Sequence, residues 1–389
     1  MTPHRHSLQK LILSLFTLFP WIVIAFPETS DNRCDCYLTN ASSSNYFTTH
    51  KFFDFRSLSQ YADVPGPIAD PYDSSQALAT SDYFLSDDWT EYWGVQSWNN
   101  SDSVDAGTAP ILMVNSPNNI YIENNTDASP ASDTFMTMRT LRLEDYQSAS
   151  EFESISQAYH YASVRMYART IGAPGAVTAM FTYKDSGDPT QLTHVQESDL
   201  EIRTMDPPNV VQYTNQPSYT SQGSDIPAST RNVSNPGHLD WTEWAVYRMD
   251  WNPSSTTWYV DGESVASIEF QTPRDPSMVI FNAWSDGGVW SGNMSVGNEA
   301  YLQVQWIELV YNSTGSAKTT DKRGEGESLE RIERRAEASC VNVCSMDDTT
   351  KIGTPVLLQG GASGVLGYVR LFGTVGFWIP LLSMALLFW

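Results

Sequence analysis

From Tyr46 to Asn312 the chain runs through short apolar or alternating segments closed by Gly, Pro, Asn, Asp or Ser, with no long helical periodicity. Tyr159–Arg169, Val177–Tyr183, Trp244–Trp251, Thr257–Val260, Met278–Ala283 and Tyr301–Val310 are the clearest such segments. They are rich in Val, Ile, Thr, Tyr, Phe and Trp, whose branched or flat side chains suit a pleated surface. Trp258-Tyr259-Val260-Asp261-Gly262-Glu263 reads as a strand entering a tight hairpin, because Asp-Gly tolerates the positive φ such a turn needs. Many short strands without intervening helices exclude α/β and helical folds and predict an all-β sandwich or jelly roll, one domain of about 265 residues.

Within this span Glu197-Ser198-Asp199-Leu200-Glu201 places three carboxylates at i, i+2 and i+4. On a strand all three point to one face, whereas a helix would spread them. Three like charges on one face oppose folding, which makes sense where the face lines a cleft and the acids share proton-transfer work. Alone, such a run in a chain with 45 acidic residues is more often a solvated acidic strand. A retaining glycosidase needs two carboxyl groups about 5–5.5 Å apart. Cα atoms four apart along a strand are ~13 Å apart, and two Glu side chains leaning together close most of that gap.

The formal charge of −23, from 45 acidic against 22 basic residues, argues against a nucleic-acid partner. Aromatic residues make up 12% of the chain, including 13 Trp, a supply of planes on which sugar rings could stack. The basic start (His4, Arg5, His6, Lys10), the apolar run Leu11–Ala25 and the small or modest residues Val23 and Ala25 predict a signal peptide over 1–25. Four cysteines form two close pairs, Cys34/Cys36 and Cys340/Cys344. Cys34-Asp35-Cys36 is too tight for an easy local bridge, so the N-terminal pair is expected to bond the C-terminal pair, with connectivity open. No His lies at ligand spacing near either cysteine pair, and no metal or cofactor is expected. Sequons at Asn40, Asn99, Asn124, Asn232, Asn293 and Asn312 fit a glycosylated secretory protein.

The remaining divisions are a Cys-containing segment over 26–45, the strand-rich domain over 46–312, a polar linker carrying the second Cys pair over 313–345, and a tail over 346–389. The tail has a small-residue run at Gly360–Gly364 and an apolar stretch from Leu371 to Trp389. That arrangement predicts a GPI-attachment signal, with a membrane-anchoring helix as the alternative. Either way the protein is expected at the cell surface or wall, tethered to a membrane.

The acidic strand and its surroundings resemble glycoside hydrolase family 16, whose active-site strand reads Glu-x-Asp-x-Glu. Phe52-Phe53-Asp54-Phe55-Arg56 resembles the opening strand of secreted fungal members. Ala179–Tyr183 is similar to the strand before the catalytic one, and Val211-Gln212-Tyr213-Thr214-Asn215 to the one after it. Trp244–Trp251 with Trp258–Gly262 looks like the following strand and hairpin, and Ile280–Trp284 with Gly287-Gly288-Val289-Trp290 like the stretch supplying cleft aromatics. Ser198 departs from a usually apolar position, but it should face away from the acids. Ala245 stands where many members carry His, which bears on substrate preference and not on the acids.

The resemblance implies a concanavalin A-like β-jelly roll of two curved antiparallel sheets and a retaining glycosidase of β-glucan, β-1,3 or mixed β-1,3/1,4. It implies Glu197 as nucleophile, Asp199 as assisting acid and Glu201 as general acid/base, with Trp284, Trp290, Asn215 and Tyr183 contacting sugar. Activity should then fall as Glu201 deprotonates, on the acidic side of neutral. A wall transglycosylase on the same site and a non-catalytic glycan-binding surface protein are the alternatives. The first differs in product length; the second has no need of all three acids.

Overall fold

A computed structural model describes residues 26–40, 45–187, 194–314 and 340–358. The expected signal peptide, most of the linker and the apolar tail lie outside the described residues. In chain order the strands are β1 (Cys36–Leu38), β2 (Tyr46–Phe47), β3 (Thr49–Asp54), β4 (Trp93–Val95), β5 (Met113–Asn115), β6 (Ile120–Asn124) and β7 (Thr134–Arg142). There follow β8 (Gln147–Ser154), β9 (Tyr159–Gly172), β10 (Val177–Lys184), β11 (Gln196–Arg203), β12 (Val210–Gln216), β13 (Thr230–Ser234) and β14 (Ala245–Trp251). The last are β15 (Thr256–Val260), β16 (Glu263–Ile268), β17 (Met278–Trp284), β18 (Glu299–Ser313), β19 (Val343–Ser345) and β20 (Val356–Leu357).

These strands make the expected jelly-roll sandwich. One layer runs β13-β12-β11-β10-β17-β8, the other β7-β18-β9-β14-β15-β16. β8 belongs to both: Ser150–Glu153 pair with β17, while Gln147 and Ser148 pair with β7, so the two layers are continuous. The predicted hairpin is present, with Asp261 at φ 48° and Gly262 at φ 81° between β15 and β16.

Strand alternation sorts the side chains. Ser198, Leu200 and Ile202 of β11 point inward with Met180, Phe281, Phe152 and Tyr213. They meet Val164, Met166, Met249, Trp258 and Ile307 of the other layer. Phe152 stacks on Phe281 at 5.0 Å, and Tyr213 reaches Trp258 at 5.5 Å between ring centroids. Burial of this apolar set, at roughly 25 cal/mol per Å², is the main force holding the layers together.

A second, small sheet, β2-β1-β19-β20, joins the two ends of the described chain. Cys34–Cys344 and Cys36–Cys340 are the disulfides, and β1 and β19 run parallel beside them. The N-terminal pair therefore does bond the C-terminal pair. One boundary needs correction: residues 346–358, assigned above to the tail, belong to the folded domain. Met346 is buried there, Asp347 is ion-paired, and β20 closes the small sheet. Short polar connections hid this segment, which has too few apolar residues to read as core.

Candidate active site

β11 lies between β10 and β12, and the register fixes what surrounds its acids. Glu197, Asp199 and Glu201 stand opposite Tyr183, Phe181 and Ala179 on β10, and opposite Gln216, Thr214 and Gln212 on β12. One strand further, Met278, Ile280 and Asn282 of β17 continue the same rows, and Glu153 and Glu151 of β8 end two of them. All these side chains share the outward face of one layer. Glu197 and Glu201, the named side chains of β10 and β17 and the two β8 glutamates line a cleft of about 440 Å³ with Trp98, Met113, Asn115 and Trp284, while Asp199 and the β12 residues edge it. Three strand spacings, ~14 Å, separate Glu201 from Glu151, room for more than one sugar ring.

Asp199 lies between the two glutamates and is 1% exposed, while both glutamates are partly open to the cleft. Gln216 Nε2 donates to Asp199 Oδ2 at 3.3 Å and Gln212 Nε2 to Glu201 Oε2 at 3.5 Å. Burial pushes the Glu197 carboxyl up from its ordinary value. Burial followed by the charge of Glu197 raises Glu201. Asp199 is raised well above the aspartate range by burial and by both glutamates. The acids hold protons at pH values where isolated carboxyls would not, as a site needing one acid and one base requires.

The far wall carries a second carboxyl pair. Trp98 Nε1 donates to Glu151 Oε1 at 2.7 Å and Asn282 Nδ2 to Glu151 Oε2 at 3.3 Å. Burial nevertheless raises Glu151 to about 7, and Glu153 is raised by burial too. Asn115 Nδ2 and Asn282 Oδ1, on residues 1% and 8% exposed, make no hydrogen bond among the described residues. Buried polar atoms without partners are costly unless a ligand or water satisfies them.

Residues 115–308, which hold all of this geometry except Trp98 and Met113, match the family model for glycosyl hydrolases family 16. The chain belongs to that family. It is 28% identical to the β-glucanase of Bacillus amyloliquefaciens over 155 residues, 39% of this chain and 59% of that protein. Against the β-glucanase of Bacillus subtilis (strain 168) it is 28% identical over 158 residues, 40% of this chain and 60% of that one. The chain thus spans about three fifths of the length of these curated relatives. Among solved structures, the Bacillus licheniformis β-glucanase superposes with a TM-score of 0.44 at 22% identity, covering 58% of this chain and 94% of that one.

Within this family-16 domain most of the expected site residues come together. Tyr183 and Trp284 line the cleft beside the acids, and burial, with the charge of Glu197, pushes the Tyr183 hydroxyl up to about 12. Trp290, 38% exposed, stacks on Trp284 at 6.0 Å and 23° and extends the aromatic surface. Asn215 is the exception. It pairs with Ser198, not with an acid, so strand alternation turns it inward. There it is fully buried, accepts from Ser198 Oγ at 2.7 Å and donates to Phe270 O at 3.0 Å. It supports the core and cannot contact sugar; Gln212 and Gln216 occupy the cleft face of β12. Ser198 faces away from the acids, as expected.

Sequence reasoning missed Glu151, Glu153, Asn282, Gln212, Gln216 and Trp98. The Glu-Phe-Glu alternation at 151–153 was an available signal, since it repeats on β8 the pattern seen on β11. Asn99, Asn124, Asn232 and Asn293 are exposed, whereas the Asn312 amide donates to Tyr46 O at 3.2 Å and its oxygen accepts from Thr48 N at 3.0 Å.

Proposed function

We propose that this protein is a retaining endo-acting glycoside hydrolase of β-glucan, working outside the cell on wall polysaccharide. The observation that carries the reading is the placement of Glu197, Asp199 and Glu201 on the cleft face of one strand, beside Tyr183 and Trp284. In this reading a glucan chain lies across the strands with rings on Trp284 and Trp290. Glu197 attacks the anomeric carbon while Glu201 delivers its proton to the departing glycosidic oxygen, leaving a glycosyl ester on Glu197. Glu201, now ionised, takes a proton from water, whose oxygen displaces Glu197 and restores the starting anomer. Protonated Asp199 stabilises the Glu197 carboxylate before attack and after release. The raised pKa of Glu201 supports its role as the acid.

The family and the β-glucanase relatives support β-linked glucan, β-1,3 or mixed β-1,3/1,4, as substrate. The signal-like start, the sequons and the GPI-like tail support a glycosylated, membrane-tethered protein at the cell surface. The apolar cleft residues Phe181, Met278 and Ile280 favour a second outcome at the same site, transfer of the glycosyl unit to another sugar in place of water.

Product analysis on β-1,3-, β-1,3/1,4- and β-1,6-glucans and chitin oligomers tests both outcomes. Shortened products from the first two support hydrolysis, and chains longer than the substrate support transfer. Binding without any cleavage would return the chain to the glycan-binding class.

A further inference from the structure

Gln216 occupies the β12 position opposite Glu197, yet its amide reaches Asp199. The orientation of that amide is set by the backbone. Ser218 N–H donates to Gln216 Oε1 at 2.8 Å, which commits the oxygen end away from the acids and leaves the NH2 end toward them. An NH2 group only donates, so Asp199 Oδ2 must accept. The carbonyl oxygen of a neutral carboxyl group accepts better than its hydroxyl oxygen. The proton of neutral Asp199 is therefore directed to Oδ1, a buried oxygen that accepts from no group among the described residues, with Glu197 the side chain besides Gln216 that shares a hydrogen bond with Asp199.

We propose that Gln216 is a positioning residue that fixes the proton of Asp199 on Oδ1, turning Asp199 into a one-directional donor toward Glu197. Without this constraint Asp199 could carry its proton on either oxygen, and in one of the two forms no proton would face the nucleophile. The groups surrounding Asp199 support the assignment. Glu197 and Glu201 flank it on its own strand, Phe181 faces it from β10 with Tyr183 opposite Glu197, and the β12 side chains Gln212, Thr214 and Gln216 are uncharged. Burial and the two glutamates keep Asp199 protonated, so a proton is available to be placed. The inference rests on the proposed roles of Glu197 and Glu201.

Two substitutions and two readouts test it. Gln216→Leu removes the donor at similar size and should lower kcat about tenfold with KM little changed. Gln216→Glu keeps an oxygen for Ser218 N–H, and its second oxygen can donate only while protonated. Activity of this variant should approach wild type at low pH and fall earlier than wild type as pH rises, a rescue that a merely structural role would not produce. Independently of turnover, a carboxyl carbon NMR titration should show Asp199 titrating higher in Gln216→Leu, because N–H donation favours the ionised form. Unchanged kcat and pH profiles in an active wild type, or an effect confined to KM, would overturn the proposal. So would an Asp199 titration that the substitution does not move. A wild type inactive on every glucan while the Asp199 titration shifts as expected would refute the functional reading alone.

Discussion

The two outward faces of the sandwich treat charge in opposite ways. On the layer away from the cleft, Glu308, Arg165 and Arg248 stand side by side on β18, β9 and β14. The terminal sheet brings Asp31 and Asp347 down onto them. Arg165 reaches Asp347 at 2.7 Å, Arg248 reaches Asp250 at 2.5 Å, and His50 bridges Asp31 at 2.8 Å and Glu308 at 3.3 Å. Each charge meets an opposite one, with Asp347 shared by Arg165 and Arg248, and the pKa values follow. Burial pushes Asp347 up, but Arg165, Arg248 and the Asn40 N–H outweigh it and hold the carboxyl low. Burial pushes His50 down, but Asp31 and Glu308 outweigh it and hold the imidazole high. On the cleft layer three charges of one sign line up along β11, and the nearest polar partners of the acids across the strands are amides. Paired charges there fasten the chain ends; like charges here oppose folding and carry the proposed chemistry.

The largest effect should come from the cleft. Glu201→Gln is expected to lower kcat on unactivated glucan about 10² to 10⁴-fold while the thermal unfolding curve keeps its shape and cooperativity. Arg165→Met addresses the other face. It leaves Asp347 and Glu308 buried with one fewer cation and should cost about 3–5 kcal/mol in denaturant unfolding, with the pH–rate profile of the folded enzyme unchanged. If that substitution moved the pH profile, the two faces would not be independent.

Asp199→Asn tests the claim that the acids oppose folding. The folded-state pKa of Asp199 is raised, so the native state binds more protons than the unfolded chain, and stability falls as pH rises toward that pKa. Neutralising the side chain should raise the midpoint of unfolding at and above neutral pH. The gain should vanish below the ordinary aspartate value of 3.8. A melting series across pH decides it; equal stability at every pH would remove the conflict between function and folding. The smallest effect is expected at Ser198→Ala, behind the acids. It loses bonds to Asn215 and Thr256 and should cost about 1 kcal/mol without altering turnover.

The pH dependence itself sharpens with the structure. In the proposed mechanism Glu197 is ionised and Glu201 protonated, and both sit above the ordinary glutamate value of 4.5. Both limbs of the pH–rate curve should move upward, so the alkaline fall is expected higher than the sequence suggested.

The acids were legible because a period of two needs no partner: Glu197, Asp199 and Glu201 share a face on any strand. Asn215 was misplaced because its face depends on register. Only the pairing of Ser198 with Asn215 shows that 212, 214 and 216 form the cleft row of β12. Glu151 and Glu153 stayed hidden because β8 reaches the acids through the sheet order β11-β10-β17-β8, which no local pattern carries. The tight Cys34-Asp35-Cys36 spacing predicted bonding between the chain ends, while which sulfur meets which depended on the parallel β1–β19 pair.

Release of reducing ends from mixed-linkage β-glucan by wild type and Glu197→Gln, compared at equal folded concentration, tests the central claim most directly. The account predicts turnover by the wild type and loss of about 10³-fold or more in the variant, with equal or higher thermal stability above neutral pH. A variant as active as the wild type, or one that lost stability above neutral pH, would contradict the assignment of this acidic face to catalysis.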